Sequence, residues 1–294
     1  MNGTWKHVER QFSQLFGKEI SFTHIQTVGG GCINQAWKVT DNNENQWFIK
    51  TNHAHLLAMF EAEFQGLKEL HKTQSIRVPK PIHCGKVDHH CYLAMEYIAL
   101  QGHEQPCLAG QQLALMHQTQ SDQFGWTIDN TIGSTQQRNH QSTDWIHFWQ
   151  HERLRFQLDL ALHKGLPQNI YEDGFKLSEN LAVFFTNYQP KASLLHGDLW
   201  SGNIAYDTDN QPVIYDPAVY YGDHETDLAM TELFGNLGKS FYDCYHEHYP
   251  IDSGYSTRKT LYNLYHILNH FNLFGGGYGS QAGRMIEKLL SEIQ

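Results

Sequence analysis

The stretch His196-Gly197-Asp198-Leu199-Trp200-Ser201-Gly202-Asn203, with Tyr215-Asp216 beyond it, decides the reading of this 294-residue chain. Asn203 follows Asp198 by five positions, and Asp216 follows Asn203 by thirteen. Between them Ile204-Ala205-Tyr206, a turn at Asp207-Thr208-Asp209-Asn210, and Pro212-Val213-Ile214-Tyr215 predict a short hairpin. Antiparallel strands return to their starting end, so Asn203 and Asp216 are expected side by side. Phosphoryl transfer needs a carboxylate that orients a hydroxyl and accepts its proton, and oxygen ligands that hold Mg2+ against the phosphates of ATP. Asp198 is the expected base, and Asn203 and Asp216 are the expected metal ligands. The competing reading makes Asp198 a turn cap and Asp216 a surface loop residue; all three at this spacing favour chemistry.

Working outward, ATP phosphates also need close backbone N–H groups and a cation. Gly29-Gly30-Gly31 forms a turn, and Gln35–Thr40 and Gln46–Lys50 alternate as the two strands of a hairpin ending on Lys50. From Leu56 to His71 apolar residues recur every three or four positions, which predicts an amphipathic helix stopped by Val78-Pro79-Lys80-Pro81. Glu61 and Glu63 could each hold Lys50 from that helix. Glu63 is preferred because it lies beside the apolar stripe of Phe60, Phe64 and Leu67. Leu93-Ala94-Met95-Glu96-Tyr97-Ile98 reads as a buried strand entering a linker, where Met95, Glu96, Tyr97 and Ile98 are expected to receive the adenine.

The chain exceeds the usual size of one core, and its character changes after residue 98. We expect an α+β, two-lobed, protein-kinase-like fold. Residues 1–98 form a β-rich ATP-binding lobe with one key helix, and residues 99–294 form a mainly helical catalytic and substrate-binding lobe. Helices are expected near residues 108–120, 144–163, 176–186, 225–233, 239–248 and 257–274. Gly275-Gly276-Gly277 reads as a helix stop.

A formal net charge of −10 without a basic patch argues against a nucleic-acid partner, and no apolar run is long enough for a membrane span. The N-terminus shows no secretory apolar stretch, and Cys32, Cys84, Cys91, Cys107 and Cys244 contain no C-x-x-C pair. Both features suggest a reduced, cytoplasmic protein rather than a disulfide framework. The histidine pairs lack the companions of a zinc site and read as solvated. Cys32, within the glycine turn, is a redox candidate: backbone N–H groups favour a thiolate there, and a mixed disulfide or a Cys32-linked homodimer is expected on oxidation.

The motifs GGGCINQAW at 29–37, FIK at 48–50, MFEAEFQGL at 59–67, IRVPKPI at 76–82, DNTIGSTQQRN at 129–139, LLHGDLWSGN at 194–203, YDPAVYYGDHETDLAMTELFG at 215–235 and LYHILNHFNLFGGGY at 264–278 together resemble the fructosamine/ketosamine 3-kinase family. That family belongs with the aminoglycoside phosphotransferases and choline kinases. The resemblance covers nearly the whole chain and implies ATP-dependent phosphorylation of the third hydroxyl of ketosamines, the sugar adducts of amines or lysine. It implies the roles already given to Asp198, Asn203, Asp216, Lys50, Glu63 and residues 95–98. Trp200 stands where protein kinases have lysine and aminoglycoside kinases commonly histidine, and its flat face suits a sugar or an apolar amine. Packing is the other role open to it. Asn130, Gln137 and Asn139, in a polar segment, are expected to contact the sugar. Asp227 is expected to hydrogen-bond the catalytic-loop backbone. A kinase for another small alcohol, and a nucleotide-binding pseudokinase, are the alternatives.

Overall fold

The computed structural model describes residues 2–29 and 33–293, so Gly30, Gly31 and the redox candidate Cys32 lie outside the described residues. Helix α1 (Asn2–Phe16) precedes β1 (Phe22–Val28), β2 (Gln35–Asp41) and β3 (Gln46–His53). Helix α2 (Leu57–Thr73), β4 (Pro81–Val87) and β5 (His90–Glu96) complete the first lobe. The five strands form one antiparallel sheet in the order β1-β2-β3-β5-β4.

The two-residue period of a strand divides this sheet into two faces. Ile49 and Ala94 join Trp5, Val8 and Phe12 of α1 in one core. Burial of each such large apolar side chain contributes roughly 1.5–3 kcal/mol. Leu93 and Met95 face α2, whose Phe60, Leu67 and Leu70 cover them. Lys50 pairs with Leu93 across β3 and β5 and therefore points toward α2. Helix α1 departs from the expectation of one helix in this lobe. Its polar residues mask an apolar stripe that only the sheet behind it makes meaningful.

The second lobe contains α3 (Pro106–His117), the short strand β6 (Gln120–Ser121), and a hairpin of β7 (Asn130–Ile132) and β8 (Thr135–Gln137). Helix α4 (Trp145–Phe148) runs through a π-helical turn (Trp149–Arg155) into α5 (Phe156–His163), and α6 (Gln168–Glu179) follows. Strands β9 (Ala192–Leu195) and β10 (Ile204–Tyr206) bracket residues 196–203, and β11 (Pro212–Ile214) and β12 (Tyr220–Gly222) follow. The chain continues through α7 (Glu225–Thr231), α8 (Lys239–His248), α9 (Tyr255–Phe274) and α10 (Tyr278–Ser291).

Two further expectations need correction, and one more helix joins those expected. Helix α6 occupies 168–179, and the region expected as its C-terminal half, Leu181–Phe185, is a 3-10 turn. Gly275 does stop α9 in a left-handed conformation (φ 67°), but a further helix begins at Tyr278 and buries Ala282, Ile286 and Leu289. Cys107 of α3 and Cys244 of α8 form a disulfide across 137 positions. No local cysteine motif announces a bond between two helices that only the folded lobe brings together. At Gly110 a side chain would stand 2.1 Å from the carbonyl of Phe241, so glycine is needed for α3 and α8 to approach this closely.

The lobes are also tied together. Ile214 N donates to the carbonyl of Arg77 at 3.0 Å, and the Arg77 guanidinium binds Glu96 at 2.7 Å and Asp207. Tyr221 donates to Glu69 of α2 at 2.9 Å. No helix among the described residues is long and apolar enough to cross a membrane.

Candidate active site

The lobes meet around a cavity of about 690 Å³ lined by Gly29, Lys50, Glu63, Asp198, Asn203 and Asp216. Met95, Glu96, Tyr97 and Ile98 line it too, as do Asn130 and Trp200. Apolar Phe48 and Val213 stand beside the linker in the cavity wall, without a role assigned to either from sequence. Their signal was present only as ordinary strand alternation.

Lys50 Nζ binds Glu63 Oε1 at 2.6 Å and Asp216 Oδ1 at 2.7 Å. Burial would lower the lysine's pKa, but the two carboxylates outweigh it and hold the ammonium above its ordinary value. Glu61 is exposed, which decides between the two glutamates.

Asn203 lies in the turn leading to β10, and Asp216 follows the strand β11 that pairs with it. The Tyr215 N–H donates to the Asn203 carbonyl at 3.1 Å, closing the hairpin at this end. The Asn203 side-chain nitrogen donates to the Asp198 carbonyl at 2.8 Å, which leaves its amide oxygen for a cation. The Asp216 side chain is half exposed to the cavity. A carboxylate and an amide oxygen fit Mg2+, which keeps several waters and takes the rest of its shell from phosphates. No cluster of three or more acidic, histidine or cysteine ligands exists among the described residues.

Asp198 is half-buried at the cavity floor. Desolvation, then repulsion from Asp216 and Asp227, pushes its carboxyl up to about 7, where a base is poised to accept a proton near neutrality. Asp227 holds the loop that carries it: Oδ2 accepts from His196 N at 2.7 Å and Oδ1 from Gly197 N at 2.8 Å. Burial would raise the Asp227 carboxyl, yet the hydrogen bond from His117 and these N–H groups keep it below its usual range. Gly197 adopts φ 82°, and a side chain there would stand 2.1 Å from the carbonyl of Ala218. His117 is a positioning partner of Asp227 that the sequence reading missed, since a histidine on an apolar helix carries no signal of its own.

Trp200 is 38% exposed, its indole folded over Gly202, where a side chain would lie 2.3 Å from the ring. An aromatic face open to the cavity beside the base suits a substrate contact better than core packing.

The polar loop expected to bring Asn130, Gln137 and Asn139 to the sugar is instead folded into the lobe. These residues are 8%, 1% and 0% exposed, and of the three only Asn130 lines the cavity. The physical reason is that β7 and β8 fold into a hairpin whose inward amides satisfy buried backbone groups.

A family model described as fructosamine kinase matches residues 4–292. The chain belongs to the fructosamine kinase family. It is 45% identical over 289 residues to the chloroplastic protein-ribulosamine 3-kinase of Arabidopsis thaliana, covering 97% of this chain and 88% of that one. Identity is also 45%, with 97% of both chains covered, to a Synechocystis protein named "Probable ketoamine kinase". The crystal structure of a "Putative fructosamine-3-kinase" from Haemophilus somnus 129PT superposes with a TM-score of 0.90, at 30% identity and 98% coverage of both chains. Likeness to an amicoumacin kinase, with TM-score 0.62 and 13% identity over 98% of this chain and 93% of that one, extends the kinase-like fold beyond the family.

Proposed function

We propose that this enzyme transfers the γ-phosphoryl group of ATP to a sugar hydroxyl of ketosamines, the third hydroxyl of fructose, ribulose or erythrulose adducts of amines or lysine. The observation that carries the reading is the convergence of Asp198, Lys50, Asp216 and the exposed face of Trp200 on one cavity, in a chain whose relatives are named ketoamine and ribulosamine kinases.

Each residue has a distinct task. Residues 95–98 receive the adenine, and Gly29 lies on the phosphate side of the cavity. Lys50, held by Glu63, neutralises phosphate charge. Mg2+ held by Asn203 and Asp216 would offset negative charge between the β- and γ-phosphates. Trp200 stacks on the acceptor, bringing one hydroxyl within hydrogen-bond reach of Asp198. As the new P–O bond forms and the bond to ADP breaks, that hydroxyl's proton passes to Asp198. A cytoplasmic setting, where ATP is abundant, belongs to the same reading.

A panel of ribulose and fructose adducts of lysine, choline and an aminoglycoside, read by ADP release, tests the substrate class. Turnover confined to the ketosamines is expected; faster turnover of choline or the aminoglycoside would overturn it.

A further inference from the structure

Asp216 has a left-handed backbone, φ 58°, which an aspartate adopts only at a cost of about 1 kcal/mol or more unless its surroundings enforce it. Pro217, Ala218 and Val219 follow, and all three are buried. The Ala218 N–H donates to the His196 carbonyl at 2.8 Å. Its carbonyl, and that of Val219, would be buried without backbone partners on that side.

Two side-chain amides take them. Gln137 Nε2 donates to the Ala218 carbonyl at 3.0 Å, and Asn130 Nδ2 donates to the Val219 carbonyl at 2.7 Å. The amides are themselves oriented. Asn130 Oδ1 accepts from Gln137 Nε2 at 2.9 Å and from Asn139 Nδ2 at 3.1 Å, while Gln137 Oε1 accepts from the Tyr265 hydroxyl at 2.7 Å. Behind them Arg153, fully buried, donates to Asn139 Oδ1 at 2.7 Å and lies 4.1 Å over the Tyr220 ring. Among the described residues this guanidinium pairs with no carboxylate; besides Asn139 it donates to the backbone carbonyls of Arg138 and Glu152, and its Nε has no partner.

We propose that Gln137 and Asn130 are positioning residues for Asp216: their amides clamp the Ala218 and Val219 carbonyls and fix the turn that aims the Asp216 carboxylate at Lys50 and the metal position. This rests on the kinase reading and deepens it. The segment after the metal-binding aspartate is built into the lobe core, so the phosphate side of the site is preset before ATP arrives. A buried carbonyl that loses its donor is costly, so loosening either amide releases the segment.

The test is Gln137→Glu, which keeps the acceptor for Tyr265 and removes the donor to Ala218. Tyr265→Phe is the milder second variant, freeing the amide without a buried charge. AMP-PNP binding is measured by calorimetry with and without Mg2+, together with the ketosamine KM and the melting temperature. The expected result for Gln137→Glu is a loss of about tenfold in Mg2+-dependent AMP-PNP affinity, with metal-free nucleotide binding and ketosamine KM changed less than about twofold. Tyr265→Phe is expected to shift the same quantity in the same direction by about two- to fivefold, so the idea remains testable if Gln137→Glu does not fold. Unchanged Mg2+-dependent binding in a folded variant, with only the melting temperature lowered, would overturn the positioning role. So would a rise confined to ketosamine KM, which would return Gln137 to the substrate. Wild-type protein showing no Mg2+ effect on AMP-PNP would instead overturn the kinase reading beneath it.

Discussion

Lys50 Nζ and Asp216 Oδ1 lie 2.7 Å apart although 166 positions separate them in the chain. This contact joins the strand lobe to the end of the β10–β11 hairpin, where the proposed metal ligands lie. Lys50→Met leaves Glu63 and Asp216 as buried or half-buried carboxylates without their shared cation. We predict that kcat/KM for ATP falls on the order of 10²–10³-fold, checked by ADP release at saturating ketosamine. A loss under tenfold would remove Lys50 from the phosphate site.

The raised carboxyl of Asp198 makes a prediction about stability. Its folded-state value is about 7, against an ordinary 3.8. A raised carboxyl contributes stability below the lower value and loses it as pH rises through the higher one. Above pH 7 the wild type therefore carries an ionised group in a desolvated place beside Asp216. Because Asp198 faces the open cavity, water screens part of the cost, and we expect about 1–3 kcal/mol. In metal-free, nucleotide-free buffer Asp198→Asn should melt higher than wild type at pH 8 and equally at pH 4. A lower melting temperature at pH 8 would contradict this.

The Cys107–Cys244 bond closes a long loop, which in the chain-entropy account contributes about 4–5 kcal/mol. Dithiothreitol should lower the melting temperature on the order of 5–10 °C, and Cys107→Ala should show the lower value with or without reductant. Equal melting of oxidised and reduced wild type would show that the bond adds nothing.

Trp200→Ala should raise the ketosamine KM or lower kcat while ATP affinity changes less than about threefold, as expected of a contact made to the acceptor alone. Steady-state kinetics in both substrates decide it; unchanged ketosamine kinetics would assign the indole to packing.

The catalytic hairpin, Lys50 and Glu63 were legible because each rests on local period and fixed spacing. The helical stripe alone prefers Glu63 over Glu61. The same logic misled at Asn130, Gln137 and Asn139. Polar side chains in a turn-rich segment look solvent-facing, and only the tertiary fold shows the buried carbonyls of Ala218 and Val219 that they serve. Helix α1, the Cys107–Cys244 bond and the His117–Asp227 contact were hidden for a related reason, since each is defined by a distant partner and none carries a local motif or fixed spacing of its own.

The central claim is that Asp198 accepts the proton of a ketosamine hydroxyl while the nucleotide is held by other residues. Phosphorus NMR of ATP with the ribulose adduct of lysine, run with wild type and Asp198→Asn, tests it most directly when paired with AMP-PNP titration of both proteins. We predict a new sugar phosphate ester with wild type, none with Asp198→Asn, and nucleotide affinities in the presence of Mg2+ within about threefold of each other. Ester formed by the variant at a rate near that of wild type, or no ester from either protein, would contradict the account.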